Sequence, residues 1–144
     1  DDCINYKNVD LLKEIKKACP DGVDVYFDNV GGQILEFVLF RMNMKGRIVC
    51  CGAVSQYDGT TPIGPRNLPG LLIVKRLKME GFIVMDYAKE HGNAIKHLSE
   101  MNAAGDIKVT EDITEGLENA PGALIGLLNG DNFGKRMVRV TVDP

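Results

Sequence analysis

A tyrosine that directly follows an apolar run is the first candidate for chemistry in this sequence. Tyr57 comes just after RIVCCGAVS, residues 47–55, and opens a segment rich in glycine and proline. A phenol at the end of a strand could donate a hydrogen bond to a carbonyl or enolate oxygen, and so stabilise charge that develops in a reaction. A half-exposed loop tyrosine without such a role is the competing interpretation, and the residue alone leaves both open.

Residues that could contact a ligand stand at three places where predicted strands end. These are residues 28–32 in DNVGG, 51–57 in CGAVSQY and 82–84 in FIV. Small residues let a flat ligand approach the backbone, and Asn29 and Ser55 offer hydrogen bonds. In a doubly wound sheet, ligands lie outside the carboxyl ends of the strands. The three ends together favour a ligand site, although each glycine alone could simply turn the chain.

Other reactive side chains give weaker signals. Tyr6 ends a predicted strand, where it could lie beside a nucleotide or pack in the core. His91 and His97 stand in a polar helical segment, and we expect both on the solvated surface. The four cysteines form no C-x-x-C pair and no cluster with histidine at ligand spacing. We therefore expect reduced, buried thiols and no structural zinc site.

The spacing of apolar residues predicts the elements that position these side chains. Strands alternate with helices, which is typical of a doubly wound parallel sheet. Residues 23–31 are apolar enough for burial on both faces, and Gly46 is predicted to end the second helix. The predicted strands are 3–7, 23–31, 47–55, 81–85, 107–114 and 135–142, and the predicted helices are 9–20, 33–46, 71–79, 88–107 and 116–130. The C-terminal segment is of the α+β type and differs from the strand–helix alternation before it, so we expect a domain boundary near residues 105–107.

Composition argues against several classes of function. The 144 residues carry a net charge of -3 at pH 7, which disfavours nucleic acid or an anionic membrane as the main partner. No apolar run approaches the ~20 residues of a membrane span, and the N-terminus lacks the basic and apolar regions of a signal peptide. We expect a cytoplasmic protein that binds a small molecule. The chain has no initiator methionine, so we also expect a fragment or a processed product.

Four segments together resemble one known family. CPDGVDVYFDNVGG, GRIVCCGAVSQY, MEGFIV and EGLENAPGALIGLLNGDNFGKRMVRV are similar to the C-terminal part of the medium-chain dehydrogenase/reductase superfamily. Within it, they resemble the zinc-independent, NADPH-dependent double-bond reductases of the alkenal, prostaglandin and curcumin type. The resemblance implies an α/β fold. Residues 1–105 would be the second half of a Rossmann domain, a partial doubly wound parallel sheet, and residues 106–144 an α+β return into a GroES-like catalytic domain.

The resemblance also implies where the cofactor NADP and the substrate lie. Tyr57 would be the catalytic residue beside the substrate carbonyl, where it stabilises an enolate together with the cofactor ribose after hydride transfer to the β-carbon of an enone or enal. No metal is implied. The positions that match the family's cofactor contacts are Tyr6, Asn29, Cys51, Gly52, Ala53, Val54, Ser55, Gln56, Tyr57, Phe82, Ile83, Val84 and Asn132.

The same resemblance implies two things about the whole protein. The first two strands and the glycine-rich phosphate loop of such a domain have no counterpart in the sequence, so the preference for NADPH or NADH is left open and the fragment alone is expected to be inactive. A homodimer through the edge strand near 81–84 is also implied. Two alternatives stay open: a quinone oxidoreductase of the same superfamily, and a non-catalytic α/β ligand-binding module.

Overall fold

The chain forms two compact units, Asp1–Tyr87 and Ala88–Pro144. The structure, a computed structural model, describes residues 2–57 and 64–141. Each unit is defined by the contacts that its residues make with one another. The assignment of residues 1–105 to a cofactor domain and of 106–144 to a catalytic domain stays a prediction.

The first unit is built on a parallel sheet of three strands. They are β1 (Val23–Asp28), β2 (Met42–Cys50) and β3 (Lys78–Gly81), and their spatial order is β1-β2-β3. Both neighbouring pairs are parallel. The predicted α/β class with a parallel sheet is therefore confirmed, and the carboxyl ends of the three strands meet at one edge of the sheet.

Three helices connect and cover these strands. They are α1 (Leu11–Ala18), α2 (Gly32–Arg41) and α3 (Leu68–Lys75). Asp10 caps α1 by accepting the N–H of Lys13 at 3.2 Å, which satisfies one of the free donors at a helix start. The helices meet the sheet in a core whose buried members are Ile15, Leu35, Val38, Leu39, Met42 and Ile48.

The boundary between α2 and β2 differs from the prediction. The helix ends at Arg41 and the strand starts at Met42, so the prediction that Gly46 ends the helix is wrong. Lys45 has a φ of 64°, and the pairing of β1 with β2 shifts register here, as in a β-bulge. A Cβ on Gly46 would lie 2.6 Å from Cε of Met42. The glycine therefore permits the bulge instead of stopping a helix.

Two other predicted strands are misplaced. Residues 3–7 form no strand. Tyr6–Asn8 instead make a short 3-10 helix, which Asn5 caps with its side chain, and no strand in the described part of the chain pairs with them. The strand predicted at 81–85 lies earlier, at Lys78–Gly81, because its register with β2 ends at Cys50 and Gly81. Residues Val84–Glu90 form two short 3-10 helices that meet at a kink at Tyr87.

One face of β1 is open. Val25 and Phe27 are 51% and 53% exposed, so the prediction that this strand is buried on both faces is wrong. The reason is that the helices of the first unit pack on the opposite face, where Tyr26 and Ile48 contact the core.

The second unit contains α4 (His91–Ala104), β4 (Glu111–Glu115), α5 (Ala120–Asn129) and β5 (Lys135–Arg139). Strands β4 and β5 pair in parallel, and α5 connects them. Gly105 ends α4 with a φ of 79°, a conformation that favours glycine. The predicted helix–strand–helix–strand order of this region is confirmed, although β4 starts four residues later than predicted, at Glu111. None of the described helices is long and apolar enough to cross a membrane.

All four cysteines are free. Cys19 and Cys50 are partly covered, whereas Cys3 and Cys51 are exposed. The expectation of buried thiols is therefore wrong for Cys3 and Cys51, because Cys3 precedes the first element and Cys51 follows the end of β2.

Candidate functional site

The three predicted strand ends lie side by side. The backbone N–H groups of Cys51 and Gly52 donate to the carbonyl oxygen of Asp28 at 2.8 and 3.1 Å. The N–H of Phe82 donates to the carbonyl oxygen of Cys50 at 3.2 Å. The ends of β1, β2 and β3 are thus neighbours along one edge of the sheet, as expected for adjacent parallel strands.

The turn after β1 is shaped by a buried carboxylate. Asp28 is 2% exposed, and its Oδ1 accepts the N–H groups of Val30 at 3.0 Å and Gly31 at 2.9 Å. The Tyr26 hydroxyl donates to the same oxygen at 3.0 Å. Gly31 takes a φ of 69° and a ψ of -149°, a region open almost only to glycine. Asn29, a predicted cofactor contact, is thereby held at the apex of the bend.

The turn after β2 fits against the turn after β1. Val54 donates its N–H to the carbonyl of Asn29 at 3.3 Å. Ser55 donates both its N–H, at 3.1 Å, and its hydroxyl, at 2.6 Å, to the carbonyl of Val30. A Cβ on Gly52 would lie 2.9 Å from the carbonyl oxygen of Asn29, so this position needs glycine for the two turns to meet.

A cleft of about 530 Å³ opens beside these turns. Its volume falls in the range of small-molecule sites. It brings together three predicted site or turn residues, Tyr6, Gly31 and Ser55. The full lining is Tyr6, Val9, Asp10, Leu11, Val30, Gly31, Gln33, Ile34, Phe37 and Ser55. The cleft and the two turns that contact each other beside it fit a nucleotide cofactor. Such a cofactor needs exposed backbone and a few hydrogen-bonding side chains.

Tyr57, the predicted catalytic residue, ends the second turn. It follows the 3-10 helix Val54–Gln56, and its N–H donates to the carbonyl of Val54 at 3.3 Å. Its side chain is 69% exposed, so it is accessible to a ligand. Residues 58–63 of the glycine- and proline-rich segment lie outside the described residues. The chemical role of Tyr57 stays a prediction.

The third tip is apolar. The ring of Phe82 packs edge-to-face on Phe27 and on Tyr87, with ring centroids 5.9 and 5.6 Å apart. Ile83 and Val84, the other two predicted contacts, are 54% and 55% exposed. This tip offers apolar surface to a ring, and the backbone N–H of Ile83 already donates to the Asp86 carboxylate at 3.4 Å.

Asn132 lies in the second unit, in the turn before β5. Its side-chain amide donates to the carbonyl of Gly134 at 2.7 Å. The turn is held by Asp112, whose Oδ2 accepts the N–H of Phe133 at 3.1 Å and contacts the Arg136 guanidinium through Nε at 3.0 Å and Nη2 at 2.8 Å. The structure therefore shows how Asn132 is fixed locally, and its cofactor role stays a prediction.

The residue that organises the first turn could not be singled out by pattern alone. Asp24 and Asp28 stand on one strand as two similar acids, whereas in the structure Asp24 is exposed and Asp28 is buried. A signal was present, since an aspartate whose carboxylate can reach the amides two and three residues later is typical of an Asx turn. Gln33 in the cleft was also missed, and no sequence signal marks it.

No metal site is found in the part of the chain that the structure describes. That part contains no group of three or more histidine, cysteine, aspartate or glutamate residues able to hold a metal ion. The described residues therefore supply no ligand set that fits a zinc ion.

Comparison with known proteins identifies a family and its relatives. The family model described as zinc-binding dehydrogenase matches residues 1–100. The 2-alkenal reductase (NADP(+)-dependent) of Nicotiana tabacum is 44% identical over 142 residues, which are 98% of this chain and 41% of that protein.

Two solved structures show the same fold. CurA of Vibrio vulnificus in complex with NADPH has a TM-score of 0.88 and 40% identity, and the match covers 99% of this chain and 44% of that one. The quinone oxidoreductase of Escherichia coli complexed with NADPH has a TM-score of 0.75 and 25% identity, with 94% and 42% covered. The chain thus spans well under half the length of the proteins it matches.

Proposed function

Since the chain belongs to the zinc-binding dehydrogenase family of the medium-chain dehydrogenase/reductase superfamily, we propose that the protein carrying it is an NADPH-dependent reductase of the C=C bond of α,β-unsaturated ketones or aldehydes. The observation that carries this proposal is the pair of turns after β1 and β2, which close on each other beside the cleft at Tyr6. Residues 1–105 would form the second half of its cofactor domain, and 106–144 the return into its catalytic domain.

The described residues would bind the cofactor and polarise the substrate. Bound NADPH would supply the hydride that reaches the β-carbon of the enone. Tyr6 would lie toward the adenosine end, Asn29 at a ribose, and residues 51–57 with 82–84 along the nicotinamide half, with Asn132 as a further contact. Tyr57 would donate a hydrogen bond to the substrate oxygen, where negative charge grows as the enolate forms.

Two other functions are less well supported. A quinone oxidoreductase of the same superfamily would share the fold, but the solved example matches at 25% identity, against 44% for the alkenal reductase and 40% for CurA. A non-catalytic binding module would need neither an exposed phenol beside the strand ends nor likeness to reductases along nearly its whole length.

The test is turnover by the full-length product of the gene. We expect it to oxidise NADPH in the presence of enones and enals, and far more slowly in the presence of quinones of similar size. The absorbance of NADPH measures the rate. Faster turnover of quinones would favour the alternative enzyme. NADPH binding without turnover of either class would favour the binding module.

We propose further that the protein works without zinc and in the cytoplasm. The zinc-free proposal is supported by the described residues, among which no group of three or more histidine, cysteine, aspartate or glutamate residues could hold a metal ion. The cytoplasmic proposal is supported by the net charge of -3 and by four unpaired cysteines, which is usual in a reducing compartment. Metal analysis of the active protein tests the zinc-free proposal, and fractionation of the cells that produce it tests the cytoplasmic one.

A homodimer through the open edge of β3 is the last part of the proposal. The backbone N–H of Phe82 donates to β2. Because the amides of successive residues in a strand point to opposite sides, the N–H of Gly81 points away from β2. Proline at such a position removes only the outward donor. We expect Gly81→Pro to make the full-length protein monomeric in sedimentation, while Gly81→Ala stays dimeric. A monomeric wild type, or a dimeric Gly81→Pro variant, would contradict the edge pairing.

A further inference from the structure

Asp28 is a charged side chain in an apolar setting. It is 2% exposed and is the one buried polar or charged residue among those that the structure describes. Burial of a carboxylate costs free energy unless hydrogen bonds compensate for the lost water. All three donors to its Oδ1 come from within three residues: the amides of Val30 and Gly31 and the hydroxyl of Tyr26.

These hydrogen bonds fix the backbone of residues 28–31, the first turn. With the amides of Val30 and Gly31 turned inward to the carboxylate, the carbonyl groups of the same turn become the acceptors for residues 51–55, the second turn. Asp28 itself accepts the N–H groups of Cys51 and Gly52 through its backbone oxygen, and Val30 accepts both donors of Ser55. The Asp28 carbonyl is fixed by the pairing of β1 with β2, whereas the Val30 carbonyl lies within the turn that the carboxylate holds. The Ser55 end of the second turn therefore depends on a carbonyl group whose direction the carboxylate sets.

We propose that Asp28 is a positioning residue for the nucleotide site, acting through Asn29, Ser55 and the backbone of the two turns. The identity of the ligand, NADPH, rests on the proposed function. The carboxylate faces into the protein and does not contact the ligand. Its effect on binding would arise because it keeps both turns in the one arrangement that forms the wall of the site.

The test compares two acids on one strand of the full-length protein. Asp28→Ala removes the acceptor, and Asp28→Asn keeps an acceptor oxygen without charge. Asp24 is the matched control, because it is exposed and accepts a hydrogen bond from the Asn43 side chain at 2.9 Å. Amide hydrogen exchange at residues 51–55 and NADPH affinity by fluorescence titration are measured at a temperature where circular dichroism shows each variant to be folded.

We expect faster exchange at residues 51–55 in Asp28→Ala, although none of those residues is altered, and a loss of NADPH affinity on the order of 10-fold to 100-fold, as for a small misplacement of binding groups. Asp28→Asn should give intermediate values, because a neutral acceptor holds the two amides less tightly. Asp24→Ala and Asp24→Asn should match the wild type in both measurements.

Unchanged exchange at residues 51–55 in folded Asp28→Ala would overturn the proposal, as would equal effects of the Asp24 and Asp28 substitutions. If Asp28→Ala does not fold, the comparison of Asp28→Asn with Asp24→Asn decides, and equal exchange in that pair overturns it. A wild-type protein that binds no NADPH would refute the proposed function, while the exchange data would still show whether Asp28 holds the two turns.

Discussion

The hydroxyl of Ser55 lies 2.6 Å from the carbonyl oxygen of Val30, so a side chain after β2 fastens the turn after β1. The same carbonyl accepts the backbone N–H of Ser55 at 3.1 Å. Two donors from one residue meet at one acceptor, and removal of the hydroxyl leaves the backbone bond in place. The contact can therefore be weakened without being abolished.

Loss of the Ser55 hydroxyl should loosen the site without unfolding the protein. We expect Ser55→Ala to lower the free energy of unfolding by about 1 kcal/mol and to raise the KM for NADPH severalfold, with kcat little changed. Ser99→Ala, on an exposed position of α4, is the matched control; it should leave the KM unchanged and raise the free energy of unfolding by at most about 0.5 kcal/mol through helix propensity. Denaturant unfolding and steady-state kinetics measure the two effects, and an unchanged KM would contradict the role of the hydroxyl.

A methyl group at Gly52 should separate the two turns. Its Cβ would stand 2.9 Å from the carbonyl oxygen of Asn29, closer than two such atoms approach, and the obstacle is backbone. We expect Gly52→Ala to cost about 1–3 kcal/mol of stability and to reduce NADPH affinity.

The control for Gly52 is a glycine with open space around it. Gly92 lies in α4, and a Cβ added there would meet no heavy atom within 4 Å. Gly92→Ala should therefore stabilise the protein by about 0.5–1 kcal/mol through helix propensity. Thermal unfolding compares the two variants. Equal stability changes in both would show that the close approach at Gly52 is not a constraint.

The phenol of Tyr57 should matter for turnover and not for cofactor binding. Since the hydroxyl would meet the substrate oxygen, Tyr57→Phe should lower kcat with an enone on the order of 100-fold, while the dissociation constant for NADPH changes little. Single-turnover kinetics and cofactor titration separate the two. A large loss of NADPH affinity with unchanged kcat would place Tyr57 in the cofactor site alone.

The order of the elements from β1 onward could be predicted because apolar spacing is a local property, but the absence of a strand at residues 3–7 and several element boundaries could not. The start of β2 depends on a bulge at Lys45 and on the Lys75 ammonium, which donates to the carbonyls of Phe40 and Met42 at 2.8 and 2.7 Å from far along the chain. Such contacts are set by tertiary packing. The strand ends of the site were predictable for the opposite reason, since parallel topology alone brings them to one edge.

The sequence offered an Asx-turn signal at Asp28 but did not decide whether its carboxylate is buried. An acid inside an apolar run is compatible with an exposed position at a strand edge, as Asp24 shows, or with a buried one. Only the packing of Tyr26 and of the turn over the carboxylate decides between the two. The sequence therefore predicted which strand ends lie side by side, and the structure showed how the turns at those ends are held.

The ion pair of Asp112 and Arg136 should stabilise the second unit. Their side chains are 29% and 16% exposed, and the same carboxylate oxygen accepts the N–H of Phe133. We expect Arg136→Met to cost about 1–3 kcal/mol, between the values for exposed and buried pairs. Lys96→Met, which breaks the exposed pair with Glu100 on α4, should cost at most about 0.5 kcal/mol. Equal costs would contradict a special role for Arg136.

The Tyr26 hydroxyl should make stability depend on alkaline pH. Burial raises the pKa of Tyr26 above its usual value, and its hydrogen bond to the Asp28 carboxylate raises this pKa further. In the unfolded chain the phenol ionises near pH ~10, where the folded protein still holds the proton. The unfolded state then binds fewer protons, so this contribution is complete below pH ~10 and is lost as the pH rises above it.

Tyr26→Phe isolates that contribution, because it keeps the ring and removes the proton. At neutral pH the variant should be less stable than the wild type by about 1 kcal/mol, the value of one hydrogen bond. The difference should narrow between about pH 9 and about pH 11, because only the wild type loses stability through this group. Urea unfolding of both proteins across that range measures it. A difference that stays constant with pH would mean that the Tyr26 hydroxyl does not keep its proton against the Asp28 carboxylate.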